Sequence, residues 1–224
     1  MSPLLVEPGG GEYTTDRPER STLIKVGREE LTLTWFRYEP GETGPDAHVH
    51  RKHCDAFCVL EGELTLELGR EREVLQAGPG TFAIAPPNVV HTFRNDSSDS
   101  VRFLNIHAPS CGFDEHLRAM RDGRDEPEPF DQHDPPPDGG RPLADARVGR
   151  GRATYDWLTI AETTIEREEP AASDSTTSYW VIDGTLAVTA EGDTAEAASG
   201  AFVLVAPGEA HSLAGPARVI CIGA

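Results

Sequence analysis

Short runs in which apolar and polar residues alternate dominate this chain, and helical periodicity surfaces only once. Thr22-Leu23-Ile24-Lys25 and Leu31-Thr32-Leu33-Thr34-Trp35-Phe36 are rich in β-branched and aromatic residues, and both predict strands. Ala56 to Leu68 predicts two strands around Glu61-Gly62, where the glycine supplies the positive φ of a tight hairpin. Val74-Leu75-Gln76 predicts a short strand, Gly78-Pro79-Gly80 a turn and Thr81 to Ala85 another strand. Pro86-Pro87-Asn88 turns the chain toward His91, and Val101 to His107 is the last clear strand of this half, with Phe103, Asn105 and His107 on one face. Residues 113 to 120 form the exception, because Phe113, Leu117 and Met120 recur at helical spacing and predict a short amphipathic helix.

The pattern then repeats. Gly80 to His91 aligns without gaps on Gly200 to His211, and Val59-Leu60-Glu61-Gly62 matches Val181-Ile182-Asp183-Gly184. Short strands and evenly spaced turns predict an all-β chain, a sandwich or barrel present in two copies. The expected organisation is an N-terminal extension over 1–20, a first barrel over 21–111, a short helix with a Pro/Gly/Asp-rich linker over 112–149, and a second barrel over 150–224. The stretch 121–142 can alternatively serve as a lid across a barrel mouth.

Residues 48–95 carry the candidate chemistry. His48 and His50, two apart on a strand, point to one face. Asp55 has odd parity to His50 and joins them only if the chain turns or bulges at Arg51-Lys52-His53; His91 must arrive from a separate strand. Three histidines and a carboxylate suit one divalent transition metal (Fe, Mn, Ni or Zn) with coordination positions left open. Asp55 is either the fourth ligand or the group that orients a ligand histidine. His53, His107, His116, His133 and His211 are expected as hydrogen-bonded or surface residues, and Asn95 as structural.

This spacing resembles the cupin family. Its first motif reads here as His48-x-His50, four residues, Asp55, six residues, Gly62; its second reads as Gly80, five residues, Pro86-x-Asn88, two residues, His91, three residues, Asn95. Asp55 stands where the family has glutamate and Asn88 where it has a turn glycine. The resemblance implies a bicupin, two double-stranded β-helix (jelly-roll) barrels in one chain. It also implies a metal inside the first barrel, held by His48, His50, Asp55 and His91, and a homodimer. Placing Gly184 on Gly62 puts Pro170 at His48, Ala172 at His50 and Thr177 at Asp55, so the second barrel is expected to be metal-free.

The ligand set is similar to that of quercetin dioxygenase-like cupins. It implies a metal-dependent oxidoreductase, a dioxygenase acting on a small oxygen-rich organic molecule, with Asp55 doubling as a catalytic base. The alternatives are a Lewis-acid isomerase, epimerase or lyase acting on a sugar or small acid, and a non-catalytic metal- or ligand-binding module. Phe57, Phe82, Phe93 and Phe103 lie on the pocket strands and either line a site for an apolar substrate or form core.

Composition narrows the partners. A net charge of −18 and a pI near 4.7 disfavour nucleic acid and anionic membrane surfaces. No apolar run spans a bilayer and no secretory leader is evident, so a cytoplasmic protein with reduced thiols is expected. Cys54, Cys58, Cys111 and Cys221 lack zinc-finger spacing, and Cys54 and Cys58 alternate away from Asp55 as packing residues. No phosphate-binding glycine loop or nucleophile elbow is present.

Overall fold

Strong alternation at both ends of the first repeat produces its two central strands. Cys54–Glu61 pairs antiparallel with Val101–Ala108, setting Phe57 opposite Asn105 and Asp55 opposite His107. These strands belong to a computed structural model that describes residues 2–224 apart from Pro127 and Ser173. Two units are present: Glu12–Tyr155, and Asp156–Ala224 together with the residues up to Gly11.

In the Glu12–Tyr155 unit a seven-stranded sheet runs in the order Arg147–Arg150, Thr81–Ala85, Cys54–Glu61, Val101–Ala108, Thr32–Tyr38, Arg20–Gly27, Glu12–Asp16. A three-stranded sheet of Glu73–Ala77, Leu64–Leu68 and His91–Arg94 faces it. Between them lies an apolar core of Phe36, Tyr38, Phe57, Leu64, Leu66, Leu68, Phe93 and Phe103. Strand parity explains the site that follows. The face that buries Phe57 and Val59 also carries Asp55, and the face that buries Val101 and Phe103 also carries Asn105 and His107. Aromatic rings, with Phe36 stacked on Phe103 at 5.1 Å, therefore pack directly against the polar groups on the same strand faces, and Phe36 reaches the cavity those groups line.

The other unit repeats the plan with a single long strand, Thr177–Ala190, that serves both of its sheets. Its core is built from Tyr179, Val181, Leu186, Val188, Val203, Val205 and Val219. Gly62 (φ +73°) and Gly184 (φ +84°) are equivalent turn points. At each, a Cβ would strike the backbone of the neighbouring strand, 2.4 Å from Ser100 O and 2.3 Å from Pro216 O.

Two expected boundaries move. The stretch 1–20, taken as an extension, supplies an edge strand to each unit: Leu4–Val6 pairs with Phe202–Val205 and Glu12–Asp16 pairs with Arg20–Gly27. The stretch 112–149, taken as helix plus linker, folds back on its own barrel, although Pro127 within it lies outside the described residues. Helix Phe113–Asp122 packs Phe113 and Leu117 with Phe130 against Ile24. His133 bridges Val49, Arg141 bridges Val89, and Arg147–Arg150 extends the large sheet. Composition misleads here because the segment satisfies its backbone with loop partners, which leaves no strand alternation to detect. No helix among the described residues is long and apolar enough to cross a membrane.

Candidate metal centre

His48 and His91 are locked together by a two-way backbone bridge, His48 N to His91 O at 3.1 Å and His91 N to His48 O at 3.0 Å. His50 follows on the same face, with its ring centroid 4.8 Å from that of His48 and 5.0 Å from that of His91. Asp55 reaches them because the chain turns at Arg51–His53, which resolves the parity mismatch. His48, His50, Asp55 and His91 are all buried, and their candidate ligand atoms lie within 4.8 Å of one another.

The three rings are held in one tautomer. Nδ1 of His48 donates to Asp46 O at 2.8 Å, Nδ1 of His50 to Asp131 O at 2.5 Å, and Nδ1 of His91 to Val89 O at 2.9 Å. A carbonyl only accepts, so each Nδ1 carries a proton, and in the neutral ring Nε2 is then the nitrogen left to act as a ligand. His50 Nε2 is buried with no hydrogen-bond partner. Asp55 Oδ2 lies 3.2 Å from His91 Nε2 and 3.8 Å from His50 Nε2. Lone pairs that close repel unless a cation lies between them. Burial, with His91 and His50 nearby, pulls His48 down to about 3 and keeps it neutral. Burial alone would raise the Asp55 carboxyl, but the surrounding His107, His50 and His91 outweigh it and hold the group well below the usual carboxylate range. A His48 imidazole kept neutral, a carboxylate that stays ionised and an orphaned Nε2 on His50 are donors that suit a divalent cation.

Several residues that spacing left aside converge on these four. Asn105 Nδ2 donates to Asp55 Oδ1, and Asn105 Oδ1 faces His107 Nε2 at 3.1 Å. His107 Nδ1 meets His53 Nε2 at 2.9 Å, and His53 Nδ1 meets Asp131 Oδ2 at 3.1 Å. Asp131 Oδ1 then accepts from His133 Nε2 at 2.9 Å. Burial pushes His53 down to about 3 and His107 well below the ordinary imidazole range. His107, expected as a surface or hydrogen-bonded residue unless the Phe103–Asn105 face turns inward, lines the cavity because that face does turn inward. His116 is paired with Glu126 and stacks on Phe130. Asn95 is structural, donating to Tyr38 O and Asp99 O.

Asp131 gave no signal in sequence. Its carbonyl fixes His50, and its Oδ2 accepts from Arg51 N at 3.0 Å and Lys52 N at 2.7 Å, which forms the turn that brings Asp55 to the histidines. Asp131→Asn keeps the carbonyl but removes the charge and one acceptor from a buried network. It should weaken metal binding by about 10-fold or more without unfolding the chain, measured by competition with a chromophoric chelator. Unchanged affinity would reduce Asp131 to a loop residue.

His48, His50 and Asp55 line a cavity of about 320 Å³, with His91 buried behind them. Phe36, Phe93, Phe113, Leu117 and Met120 wall it, with Arg20 and Gln132 also in its lining. Of the four phenylalanines singled out on the strands, Phe93 reaches the cavity, whereas Phe57 and Phe103 belong to the core beneath it.

In the second unit His211 keeps the pose of His91, its Nδ1 donating to Glu209 O at 3.0 Å, but its Nε2 accepts from Tyr179 Oη at 2.6 Å. Ala171 pairs with His211 as His48 pairs with His91, so the register differs by one from the placement of Pro170 at His48. Thr177 does fall at the position of Asp55. Among the described residues no trio of metal-ligating side chains gathers in this unit.

Comparison with known proteins agrees with this geometry. Residues 34–107 match the Cupin domain family (Cupin_2). Over 122 residues the chain is 25% identical to quercetin 2,3-dioxygenase of Bacillus subtilis (strain 168), covering 54% of this chain but only 35% of that protein. Among solved structures, the bacterial pirin YhhW of Escherichia coli, determined in complex with nickel(II), superposes with a TM-score of 0.67 at 14% identity over 99% of this chain and 98% of that one. An oxalate decarboxylase variant from Bacillus subtilis superposes with a TM-score of 0.69 at 12% identity over 100% of this chain and 77% of that one. At such identities these two show the fold alone.

Proposed function

This chain belongs to the cupin superfamily, and on that premise we propose that it is a metal-dependent oxidoreductase, a dioxygenase acting on a small oxygen-rich organic molecule. The observation that carries the reading is the convergence of His48, His50, His91 and the Asp55 carboxylate, with His50 Nε2 left without a partner, beside a cavity walled in part by phenylalanines. His48, His50, Asp55 and His91 hold the metal, and the second barrel holds none. When bound, a redox-active metal there supplies activation of a chelating oxygen substrate and of dioxygen. The protein does the rest. Phe36, Phe93 and Phe113 exclude water and seat the organic body of the substrate. Asp55 is a base whose position Asn105 fixes through its amide. His107 stands at the cavity wall, its ring stacked on Phe113 at 3.6 Å.

A second reading, Lewis-acid isomerisation or lysis, draws on one specific feature. The Asn105–His107–His53–Asp131–His133 chain links the cavity wall to a partly exposed imidazole and provides a route for a proton.

The test is metal analysis of protein purified without chelators, joined to oxygen-electrode assays on a flavonol and catechol panel. About one equivalent of iron, manganese or nickel with metal-dependent oxygen uptake is expected. Zinc in that amount, with substrate turnover but no oxygen uptake, would move the assignment to the second reading. No metal after reconstitution would sink both.

A further inference from the structure

Among the described residues Arg20 is the one permanently charged cation on the cavity wall, in a chain of net charge −18. It stands where the strand Arg20–Gly27 begins, opposite Tyr38 in the sheet, and its guanidinium carbon lies 4.6 Å from the centre of the Tyr38 ring. Its hydrogen bonding is nearly unused. Nε is buried without a partner, and Nη1 makes one long contact of 3.4 Å to Thr43 O. No carboxylate among the described residues forms an ion pair with it, whereas Arg37, Arg94, Arg118 and Arg141 are each matched with an acidic neighbour. Stacking on Tyr38 offsets part of the cost of placing a cation there, but the donor fork stays open. Among the described residues Asp55 is the only acidic one in the cavity lining, and it is committed to the imidazoles. A neighbouring hollow of about 420 Å³ shares Arg20, Leu117 and Met120 with this cavity and adds Arg17 and Arg121 against the single carboxylate of Asp16. The approach to the site therefore carries positive charge on a strongly acidic protein, an arrangement that draws in anions.

From this we infer that the substrate is a carboxylic acid, its carboxylate held by Arg20 and its apolar body by the phenylalanine and leucine walls. The inference deepens the functional reading above and rests on its choice of this cavity as the substrate site. A guanidinium with free N–H groups binds a carboxylate in parallel pairs, which no other side chain in the lining can do.

Metal-loaded wild type, Arg20→Gln and Arg20→Lys are titrated calorimetrically with benzoate, phenylacetate and 3-phenylpropanoate, each against its own primary amide. In wild type at least one acid binds about 10-fold or more tighter than its amide. That preference falls to near parity in Arg20→Gln and is partly kept in Arg20→Lys, which retains charge without the fork. Equal binding of acid and amide in all three pairs overturns the inference, and the wild-type comparison decides this even if a variant fails to fold. A preference that survives Arg20→Gln unchanged also overturns it. Metal content measured on the same samples separates the two ideas. Acid preference without bound metal keeps the Arg20 assignment and removes the metal-dependent function; bound metal without acid preference does the reverse.

Discussion

His50→Ala strips the first barrel of its metal. The side chain is 1% exposed, its Nδ1 is tied to Asp131 O, and its Nε2 has no partner within the protein. Alanine removes one of four donors from a buried site and leaves a gap that water fills poorly. Affinity for the divalent ion should drop by about 100-fold or more, larger than the loss from disturbing a residue that only supports a ligand. Plasma mass spectrometry after dialysis reads this directly as a fall from about one equivalent to background. The chain should remain folded, because the orphaned Nε2 contributes nothing to stability without the ion. Metal content that survives His50→Ala but disappears in Cys111→Ser would move the site to the neighbouring group of His53, Cys111 and Asp131.

Phe103→Ala produces the largest loss of stability. Phe103 is fully buried, stacks on Phe36 with an interplanar angle of 6°, and meets Tyr38 and Phe93 edge-on at 5.4 and 5.7 Å. The ring is enclosed by residues of both sheets, so collapse around an alanine is limited and the expected cost is about 3–5 kcal/mol. At roughly 2–4 °C per kcal/mol for a unit of this size, the thermal midpoint of the first barrel falls by about 10 °C. Denaturant unfolding followed by near-ultraviolet circular dichroism gives the same quantity as a lowered midpoint with unchanged slope. A loss under about 1 kcal/mol would mean that the aromatic core of the barrel repacks freely. Metal binding should weaken in the same variant, since Phe103 shares a strand face with Asn105 and His107 two and four residues on.

Much of this was legible from residue order. The pairing of His48 with His50, their distance to Asp55 and the later arrival of His91 were visible as spacing. Two-residue spacing puts His48 and His50 on one face, whereas Asp55 joins them through the turn at Arg51–His53 and His91 through its backbone bridge to His48. The second repeat was visible as the match of Gly80–His91 to Gly200–His211, although the structure sets Ala171 rather than Pro170 at the position of His48. What stayed hidden was the support around the site. Asp131 sits in a stretch rich in proline and aspartate with no period, so it read as linker, yet it holds His50, His53 and the Arg51–Lys52 turn. Arg20 looked like one more charge near the N-terminus, and nothing in its neighbourhood in sequence announces a cavity.

The division follows the range of the forces involved. Sequence by itself determined the strands, the inward faces and the candidate ligand residues, because hydrophobic alternation and i, i+2 parity are set by the backbone of a few neighbouring residues. Only the tertiary structure decided the tautomers, the protonation states and the residues that enclose the site. These depend on hydrogen bonds such as His50 to Asp131, 81 residues apart, and His53 to His107, 54 apart. Such contacts exist only once the barrel has closed and water has left, when an unpaired polar group becomes costly and must find a partner wherever the chain has brought one.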